Sequence, residues 1–412
     1  MERALNEIDV RLMDHGKRVA YLMFKTLEPQ QKFSNKELRD ICIVAMLHDI
    51  GAYKTEEIDN MVMFETVDVW EHSIYGYLFL KHFSPLKDLA ITLLFHHADC
   101  HEISKNLSSS DRMISQLISL TDRADVFSVH KAPHDKFKEH IERNRDIKYS
   151  SEVVDMFLNS DINMDTIFDN VDTDEAFNQI FRETPLTEEE VEGYINMVIF
   201  SIEFRSDQTV NHSIASTCIA ELLALKSGKC KEEIGRIRTG AMLHDIGKIG
   251  IPLHILEGRG KLSDEDFVIM KSHVDVTNKI LDGNVDDDIK NIAIHHHEKL
   301  NGTGYPYRLD SKDIPFIERV VSVADIFSAL CGVRSYKAAF PKEKIVGILE
   351  DNRDSHHLDA EIVNLAIEYY DEIIDAANKA SEPVIQAYED LNTERKHLRE
   401  SIESSNFDLM YV

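Results

Sequence analysis

The chain has 412 residues and a formal net charge of −28, from 74 acidic and 46 basic side chains. This excess of negative charge disfavours long nucleic acids and anionic membrane surfaces as partners, because both carry the same sign. The length leaves room for two domains with connecting segments, each large enough to bury its own core.

The cysteines and the amino-terminal segment bear on the compartment. Five cysteines lie scattered without any CxxC pair, which is typical of a reducing cytosol rather than of a disulfide scaffold. No apolar run approaches the roughly 18 residues of a membrane-spanning helix, and the start, MERALNEIDVRLMD, is too charged for a signal peptide. We therefore expect a cytoplasmic protein.

Helical periodicity predicts an all-α fold. Segments such as LRDICIVAMLHDI and EEIGRIRTGAMLHDI space their apolar residues by three and four and stop at Gly51 and Gly247, so a helix should end at each His-Asp pair. Strand-like alternation is scarce. The predicted parts are a first domain at residues 1–135, a helical connector at 136–200, a second domain at 201–352 and a helical tail at 353–412.

The first predicted domain carries histidine and aspartate at separated points with helical sequence between them. These points are His15, His48-Asp49, His72, His96-His97 and Asp122. Imidazole nitrogens and carboxylate oxygens suit first-row transition metals, so the pattern is a candidate metal site. The connector that follows mixes acidic and apolar residues at helical spacing, and Thr187 with Glu190 predicts a capping box that opens its last helix.

The second predicted domain repeats the same order of ligand types about 200 residues later, which indicates an internal duplication. The repeated points are His212, His244-Asp245, His273, His296-His297 and Asp325. A carboxylate such as Asp245 can bridge two ions, which together stabilise both the attacking and the leaving oxygen of a phosphoryl displacement. Chance clusters arise easily among 20 histidines, but this order and spacing favour a metal centre and a phosphodiesterase.

The motifs around these points resemble the HD-GYP family, the branch of the HD phosphohydrolases that hydrolyses cyclic dinucleotides in bacteria. HDIGKIGIP, KSH, HHEKLNGTGYP and ADIFSALCGVRSYK follow in family order between about Thr209 and Lys344. The first domain is then a degenerate HD domain, so the fold should contain two tandem HD-type domains.

The resemblance implies a centre of two divalent ions in the second domain. The implied ligands of one ion are His212, His244, Asp245 and Asp325. Those of the other are Asp245, His273, His296 and His297. Members of the family with three ions carry a glutamate where this chain has Gln208, which favours two, and His295 should be a helix-surface or supporting residue. Iron or manganese suits such ligands best, although nickel or zinc could also bind.

The resemblance also implies residues that contact the substrate. Lys248 would lie beside the scissile phosphate, where its ammonium can neutralise developing charge or assist the leaving 3′-oxygen. It follows His244 by four residues, so a continuing helix would place both on one face. Arg334 and Lys337 fall at phosphate-contacting positions, and Tyr305 lies in the loop that borders the pocket. A solvated helix face and a packing role are the respective alternatives.

Some positions depart from the family pattern. Asn301 stands for the usual acidic residue of the GYP run, and Ser328 replaces a common aspartate after Asp325, which bears on substrate preference. The first domain lacks the GYP run and has Ala52 where the second has Lys248. We expect it to be regulatory or structural; hydrolysis of another nucleotide and plain packing of its histidines are the alternatives.

The tail is amphipathic and is predicted to break near Pro383. Packing across the domains and contact within a homodimer are both open for it.

We therefore expect a metal-dependent phosphodiesterase with Asp245 and Lys248 as catalytic residues. It would convert a 3′,5′-cyclic dinucleotide, cyclic di-GMP or 3′,3′-cyclic GMP-AMP, into a linear 5′-phosphorylated dinucleotide. A non-catalytic cyclic-dinucleotide receptor and a general HD nucleotide phosphohydrolase are the alternatives.

Overall fold

The structure is a computed structural model, and it describes residues 10–52, 69–103, 105–169, 175, 181–205, 211–258, 260–331 and 340–404. Within these ranges the regular elements are helices without any β-strand, which confirms the predicted all-α fold. Two isolated bridges occur, between Arg145 and Tyr149 and between Asn301 and Asp310. None of the helices in the described ranges is long and apolar enough to cross a membrane.

The described residues form two compact units. We call Val198–Glu389 the continuous unit, because all described residues of that unit lie in this stretch, and we call Asp9–Met197 together with Asp390–Val412 the split unit. The four predicted parts of the chain, with boundaries at 135, 200 and 352, stay a prediction.

The α-helices are numbered in chain order. Those before residue 200 are α1 (Val10–Leu27), α2 (Asn35–Met46), α3 (Val69–Phe83), α4 (Ile91–Leu94), α5 (Ser109–Val129), α6 (His134–Arg143), α7 (Ser151–Leu158) and the start of α8 (Glu188–Arg205). Those that follow are α9 (His212–Lys226), α10 (Lys231–Leu243), α11 (Leu253–Leu256), α12 (Asp264–Lys271), α13 (His273–Leu281), α14 (Asp287–Ile294), α15 (Phe316–Cys331), α16 (Lys342–Asp354), α17 (Ala360–Glu368) and α18 (Tyr370–Glu403). Short 3-10 turns lie at Glu28–Gln30, Lys87–Leu89 and Ile246–Gly250.

Local signals in the sequence place several of these helix ends. The backbone N–H of Thr187 donates to Glu190 at 2.9 Å and the N–H of Glu190 donates to the hydroxyl of Thr187 at 3.2 Å, so the predicted capping box is confirmed at the start of α8. Helix α10 ends at Leu243, directly before His244, and α2 ends at Met46, so that only Leu47 lies between it and His48. The sequence prediction of a helix end at each pair is therefore confirmed.

The core of the continuous unit lies where α9 packs against α10 and α15. Ile219 and Leu223 of α9, Ile237 of α10 and Val320 and Phe327 of α15 are fully buried there. Each such side chain contributes roughly 1.5–3 kcal/mol by leaving water. The two helices that carry His212 and Asp325, and the helix that ends directly before His244, are thus fixed by one apolar core.

Helix α18 runs through Pro383, so the predicted break at that residue is wrong. Proline removes one backbone donor and usually kinks a helix. Here the helix buries Ile373 and Ala377 before the proline and Leu391 and Leu398 after it. Burial on both sides outweighs the one missing hydrogen bond.

In the split unit, the end of α18 packs along α3. Glu394 accepts hydrogen bonds from the Tyr77 hydroxyl at 2.9 Å, the Lys81 ammonium at 2.6 Å and the His82 ring at 3.2 Å. Arg395, the next residue, and Arg399, one turn later, form ion pairs with Glu71 at 2.9 and 3.1 Å. These contacts hold α3 close to the point where it presents His72.

Candidate metal centre

The His244-Asp245 pair lies in a tight turn that follows α10. Gly247 makes this turn possible: a β-carbon there would lie 1.9 Å from the carbonyl oxygen of His273. The hydroxyl of Thr277 accepts a hydrogen bond from the Gly247 N–H at 3.0 Å and donates to the His244 carbonyl at 3.2 Å. The turn is therefore pressed against α13, which begins at His273.

The other predicted ligands come from helix termini and from one helix interior. His212 begins α9, directly after Asn211, which adopts a left-handed conformation with φ of 77°. His296 and His297 follow the end of α14, and Asp325 lies within α15. Residues more than a hundred positions apart thus converge on one point of the continuous unit.

The two oxygens of Asp245 face two different groups of histidines. Oδ2 lies 3.6 Å from His212 Nε2 and 3.4 Å from His244 Nε2. Oδ1 lies 3.6 Å from His273 Nε2 and 3.9 Å from His296 Nε2. One carboxylate therefore stands between two clusters of imidazole nitrogens, which is the arrangement of a bridging ligand.

Asp325 and His297 complete the ring of predicted ligands. Asp325 Oδ1 accepts a hydrogen bond from His212 Nε2 at 2.9 Å and lies 3.9 Å from His244 Nε2. Its other oxygen lies 3.8 Å from His297 Nδ1. All seven predicted ligands of the second domain are thus brought together.

Backbone carbonyls orient three of the imidazoles. The Nδ1 atoms of His244, His273 and His296 each lie 2.6 Å from a carbonyl oxygen three residues earlier in the chain. A carbonyl only accepts, so Nδ1 carries the proton in each ring and Nε2 is left to face the cluster. Such hydrogen bonds are the usual support behind metal-bound histidines.

Two buried atoms in the cluster lack a hydrogen bond to any described residue: His244 Nε2 and Asp245 Oδ1. A buried polar atom without a partner costs about 1–3 kcal/mol. A divalent cation between these atoms would satisfy both of them. The donor set of imidazoles and carboxylates therefore fits a transition-metal ion.

The electrostatics of the cluster favour the protonation states that ligands need for most of the predicted ligands. Burial lowers the pKa of His212, His273 and His296, and it lowers the pKa of His297 to about 4. Burial alone would raise the pKa of Asp325, but its hydrogen bond from His212 brings it below the usual range. His244 differs, because burial alone would lower its pKa as well, but the neighbouring Asp245 carboxylate raises it. Neutral imidazoles and ionised carboxylates are the metal-binding forms.

Lys248 lies in the 3-10 turn at Ile246–Gly250 rather than on a continuation of α10, so the expected helical face shared with His244 is wrong. The helix ends at Leu243 because the turn must fold against α13. The Lys248 ammonium nevertheless reaches the cluster, where it forms an ion pair with Oδ2 of Asp245. This contact keeps a partly buried positive charge beside the bridging carboxylate.

Tyr305 borders the cluster, as the motif predicts. Its ring lies 4.7 Å from the ring of His297, centroid to centroid, and a cis peptide bond joins it to Pro306. Gly304 approaches the backbone closely, since a β-carbon there would lie 2.4 Å from the Lys299 nitrogen.

Glu298 supports this loop, and the sequence analysis missed it. The side chain is buried and accepts hydrogen bonds from the backbone N–H groups of Tyr307, Arg308 and Leu309 at 2.6, 3.1 and 3.0 Å. Its place directly after the two ligand histidines, before a glycine-rich run, was the available signal.

The remaining predicted positions fall outside the ligand groups or outside the described ranges. His295 forms an ion pair with the buried Glu318 at 2.7 Å, which agrees with a supporting role. Ser328 lies behind His212, with its hydroxyl 3.1 Å from Nδ1. Arg334, Lys337 and Gln208 lie outside the residues that the structure describes.

The split unit contains a second cluster built in the same way. Asp49 Oδ2 lies 3.2 Å from His48 Nε2 and 3.9 Å from His15 Nε2, and Oδ1 lies 3.9 Å from Nε2 of both His72 and His96. The ring of His97 lies 4.0 Å from that of His96. Asp122 lies 3.2 Å from His15. The seven predicted residues of the first domain therefore also converge.

His15 differs from its counterpart in what supports it. Its Nδ1 donates to Asp125 at 2.7 Å, and Arg18 holds the same carboxylate through contacts of 2.6 and 2.9 Å. Burial alone would lower the pKa of His15, but hydrogen bonds to Asp122 and Asp125 raise it to about 10. The corresponding support behind His212 is the neutral hydroxyl of Ser328.

Comparison with known proteins agrees with these features. Residues 196–362 match the family model described as HD domain. A 3′3′-cGAMP-specific phosphodiesterase 2 of Vibrio cholerae is 37% identical over 186 residues, which are 44% of this chain and 35% of the relative. The chain thus spans about a third of the length of that relative. A 3′3′-cGAMP-specific phosphodiesterase 1 of the same organism is 24% identical over 389 residues, 89% of each chain.

A solved structure shows the same fold. The crystal structure of cyclic GMP-AMP specific phosphodiesterases in V. cholerae superposes with a TM-score of 0.51 at 17% identity, covering 92% of this chain and 95% of the other. The resemblance drawn from the motifs is confirmed by the family model and by these relatives.

Proposed function

We propose that this chain, whose residues 196–362 are an HD domain, is a metal-dependent phosphodiesterase that opens a 3′,5′-cyclic dinucleotide. The observation that carries the proposal is the position of Asp245, with one oxygen toward His212 and His244 and the other toward His273 and His296. Two ions held in this way are the common device for in-line displacement at phosphorus. The printed activities of the relatives support the same reaction class.

The proposed ligands of the two ions are those that the motifs imply. One ion would be held by His212, His244, Asp245 and Asp325, and the other by Asp245, His273, His296 and His297. Iron or manganese is the proposed metal, because mixed imidazole and carboxylate ligands accept both. Bound ions would supply charge stabilisation at the phosphoryl oxygens and would lower the pKa of a nearby water molecule.

The residues of the chain orient the substrate and balance its charge. Lys248 would donate from its ammonium to an oxygen of the scissile phosphate, where negative charge builds up during the reaction. Arg334 and Lys337 are proposed as further phosphate contacts, and Tyr305 as the side of the pocket next to His297. A water oxygen would form the new bond to phosphorus as the bond to the 3′-oxygen breaks. One proton of the water ends on the 3′-oxygen, so the product is a linear dinucleotide with a 5′-phosphate.

The proposed substrates are 3′,3′-cyclic GMP-AMP and cyclic di-GMP. The first is favoured, because a relative specific for it aligns with 89% of this chain. Contact of the helical tail within a homodimer stays a prediction, which light scattering of the purified chain tests. A cytoplasmic location stays a prediction.

The test is anaerobic turnover of 3′,3′-cyclic GMP-AMP, cyclic di-GMP and cyclic di-AMP, followed by chromatography of the products. The wild type should cleave at least one of the first two, and the double variant His244→Ala/Asp245→Ala should cleave none. If the metal-loaded wild type binds a cyclic dinucleotide but leaves it intact, the chain is a receptor. If it cleaves only nucleoside monophosphates, the chain is a general nucleotidase.

A further inference from the structure

We propose that the split unit holds its own centre for divalent transition-metal ions, built from His15, His48, Asp49, His72, His96 and His97. Two groups of these side chains each place one ligand atom per residue within 4.8 Å of one another, and both groups include Asp49. The inference concerns a site outside the HD-domain match at residues 196–362, and it does not depend on the proposed phosphodiesterase activity.

The orientation of the imidazoles supports a cation at this point. The Nδ1 atoms of His48 and His96 lie 2.8 and 2.6 Å from the carbonyl oxygens of Ala45 and Leu93, so each Nδ1 carries a proton. Their Nε2 atoms therefore face the interior of the cluster. His48 is 1% exposed and His96 is 0% exposed, so water cannot reach these nitrogens freely.

Buried polar atoms without partners mark the same place. His48 Nε2, His96 Nε2 and Asp49 Oδ1 form no hydrogen bond with any described residue. Packing alone would leave these three atoms desolvated at a cost in stability. An ion between them would satisfy all three, whereas histidines kept only for packing would have no reason to point their Nε2 atoms at one carboxylate.

The backbone of the split unit repeats the close glycine contact that is found in the cluster of the continuous unit. A β-carbon on Gly51 would lie 1.9 Å from the carbonyl oxygen of His72, as one on Gly247 would from that of His273. Asp49 also divides its oxygens between two pairs of imidazoles, as Asp245 does. The ligand geometry has thus been kept in both units.

The two clusters differ in the residues that could contact a phosphodiester. Ala52 occupies the position of Lys248, and Ala98 with Asp99 follow the histidine pair where the other unit has its glycine-rich loop. Among the described residues, this centre therefore has no counterpart of the Lys248 ammonium or of the glycine-rich loop that would engage a cyclic phosphodiester. Its ions would instead join α1 and α3 with the turns after α2 and α4, and so stabilise the split unit.

The test uses the full chain and counts metal. In His244→Ala/Asp245→Ala, the cluster of the continuous unit is removed, so Mn²⁺ retained after desalting reports the split unit. This variant should keep about half of the Mn²⁺ of the wild type, and adding His48→Ala/Asp49→Ala should remove the rest. The variant His101→Ala changes an exposed histidine of the same unit and should leave the metal content unchanged.

A folding control keeps the result interpretable. Circular dichroism should show the same helix content for every variant. In His244→Ala/Asp245→Ala, added Mn²⁺ should raise the unfolding temperature, and the further change His96→Gln should remove that shift. A folded His244→Ala/Asp245→Ala chain that holds no Mn²⁺ and shows no shift would overturn the proposal. Loss of phosphodiester cleavage alone does not bear on it, because both readouts are independent of turnover.

Discussion

Gly51 and Gly247 occupy the same place in their respective units, each directly after the dipeptide Asp-Ile of a His-Asp-Ile-Gly run. In both, a β-carbon would lie 1.9 Å from the carbonyl oxygen of the next histidine ligand in the chain. No side chain can be fitted at this distance without moving backbone. The two glycines therefore set how closely the His-Asp turn approaches the following ligand helix.

Replacing Gly247 with alanine should disable the centre of the continuous unit. The methyl group must push the turn away from α13, at a cost of about 1–3 kcal/mol of unfolding free energy. Turnover of the cyclic dinucleotide and Mn²⁺ content should both fall. Gly235→Ala is the matched control, because no atom lies within 4 Å of that β-carbon in α10; it should gain about 0.5–1 kcal/mol. Equal unfolding free energies for the two variants, measured with urea, would contradict this account.

Lys248→Gln should lower kcat for the proposed substrate by about 100- to 1,000-fold, because one charged donor to the transition state is lost. Metal content should stay at the wild-type level, since Lys248 contacts Asp245 without being a ligand. Lys231→Gln, at an exposed position, serves as the control. A kcat equal to that of the wild type would mean that Lys248 does not contribute to turnover.

Glu298→Ala should loosen the loop that carries Tyr305. Three backbone N–H groups lose their acceptor, so the unfolding free energy should fall by about 1–3 kcal/mol and KM should rise. Glu298→Gln keeps one acceptor oxygen and should fall between the wild type and the alanine variant. Steady-state kinetics measure KM; if both variants keep the wild-type value, the loop does not depend on this carboxylate.

Asp125 contacts Nδ1 of His15, and Ser328 contacts Nδ1 of His212 at the corresponding position. Replacing Asp125 with serine therefore gives His15 the kind of partner that His212 has. In the His244→Ala/Asp245→Ala background, Asp125→Ser should weaken Mn²⁺ binding by about 10- to 100-fold, because His15 loses its carboxylate partner. Asp161→Ser, at an exposed position of the same unit, should have no effect. Mn²⁺ titration followed by electron paramagnetic resonance measures the affinity. An unchanged Mn²⁺ affinity in Asp125→Ser would show that the contact of Asp125 with His15 does not support metal binding.

Glu394→Gln should destabilise the split unit in a pH-dependent way. Burial alone would raise the pKa of Glu394, but hydrogen bonds from His82, Lys81 and Tyr77 lower it to about 2. A carboxyl with a depressed pKa stabilises the fold above its ordinary value of about 4.5 and loses that contribution as the pH falls toward 2. Because the side chain is 24% exposed, we expect about 1–2 kcal/mol at pH 7.

The measurement is urea unfolding of the wild type and Glu394→Gln at pH 7 and at about pH 3. The difference in unfolding free energy should shrink at the lower pH. Glu400→Gln, at an exposed position of the same helix within the split unit, is the control. A difference that stays constant between the two pH values would mean that the carboxylate charge is not the source of the stabilisation.

The sequence predicted which histidines and aspartates come together, because their types, order and spacing are specified by motifs that lie mostly at helix ends; their role as ligands stays a prediction. His48 and His244 follow helices whose last apolar residues can be read directly from the periodicity. The same information could not place Lys248, since the end of α10 depends on how tightly the turn folds against α13. The position of Glu298 after the histidine pair could have drawn attention to it, but its three backbone partners could not be read from the sequence.

At Pro383, a local sequence rule gave a wrong prediction. A local rule predicts a break there, but tertiary burial of Ile373 and Leu391 decides the outcome. Arg18 and Asp125 illustrate the same point for polar groups, as they meet across 107 positions of the chain. Contacts of that range depend on the completed core rather than on local spacing.

The split unit is assembled from two stretches of chain, with the whole continuous unit between them. A ribosome therefore finishes residues 198–389 before it makes Glu394 and Arg395, which α3 requires as partners. Domains generally fold as their residues emerge. The split unit, whose described residues start at Val10, is thus the one that can be completed last, and the contacts of α3 with Glu394 and Arg395 can form only after synthesis has passed residue 395.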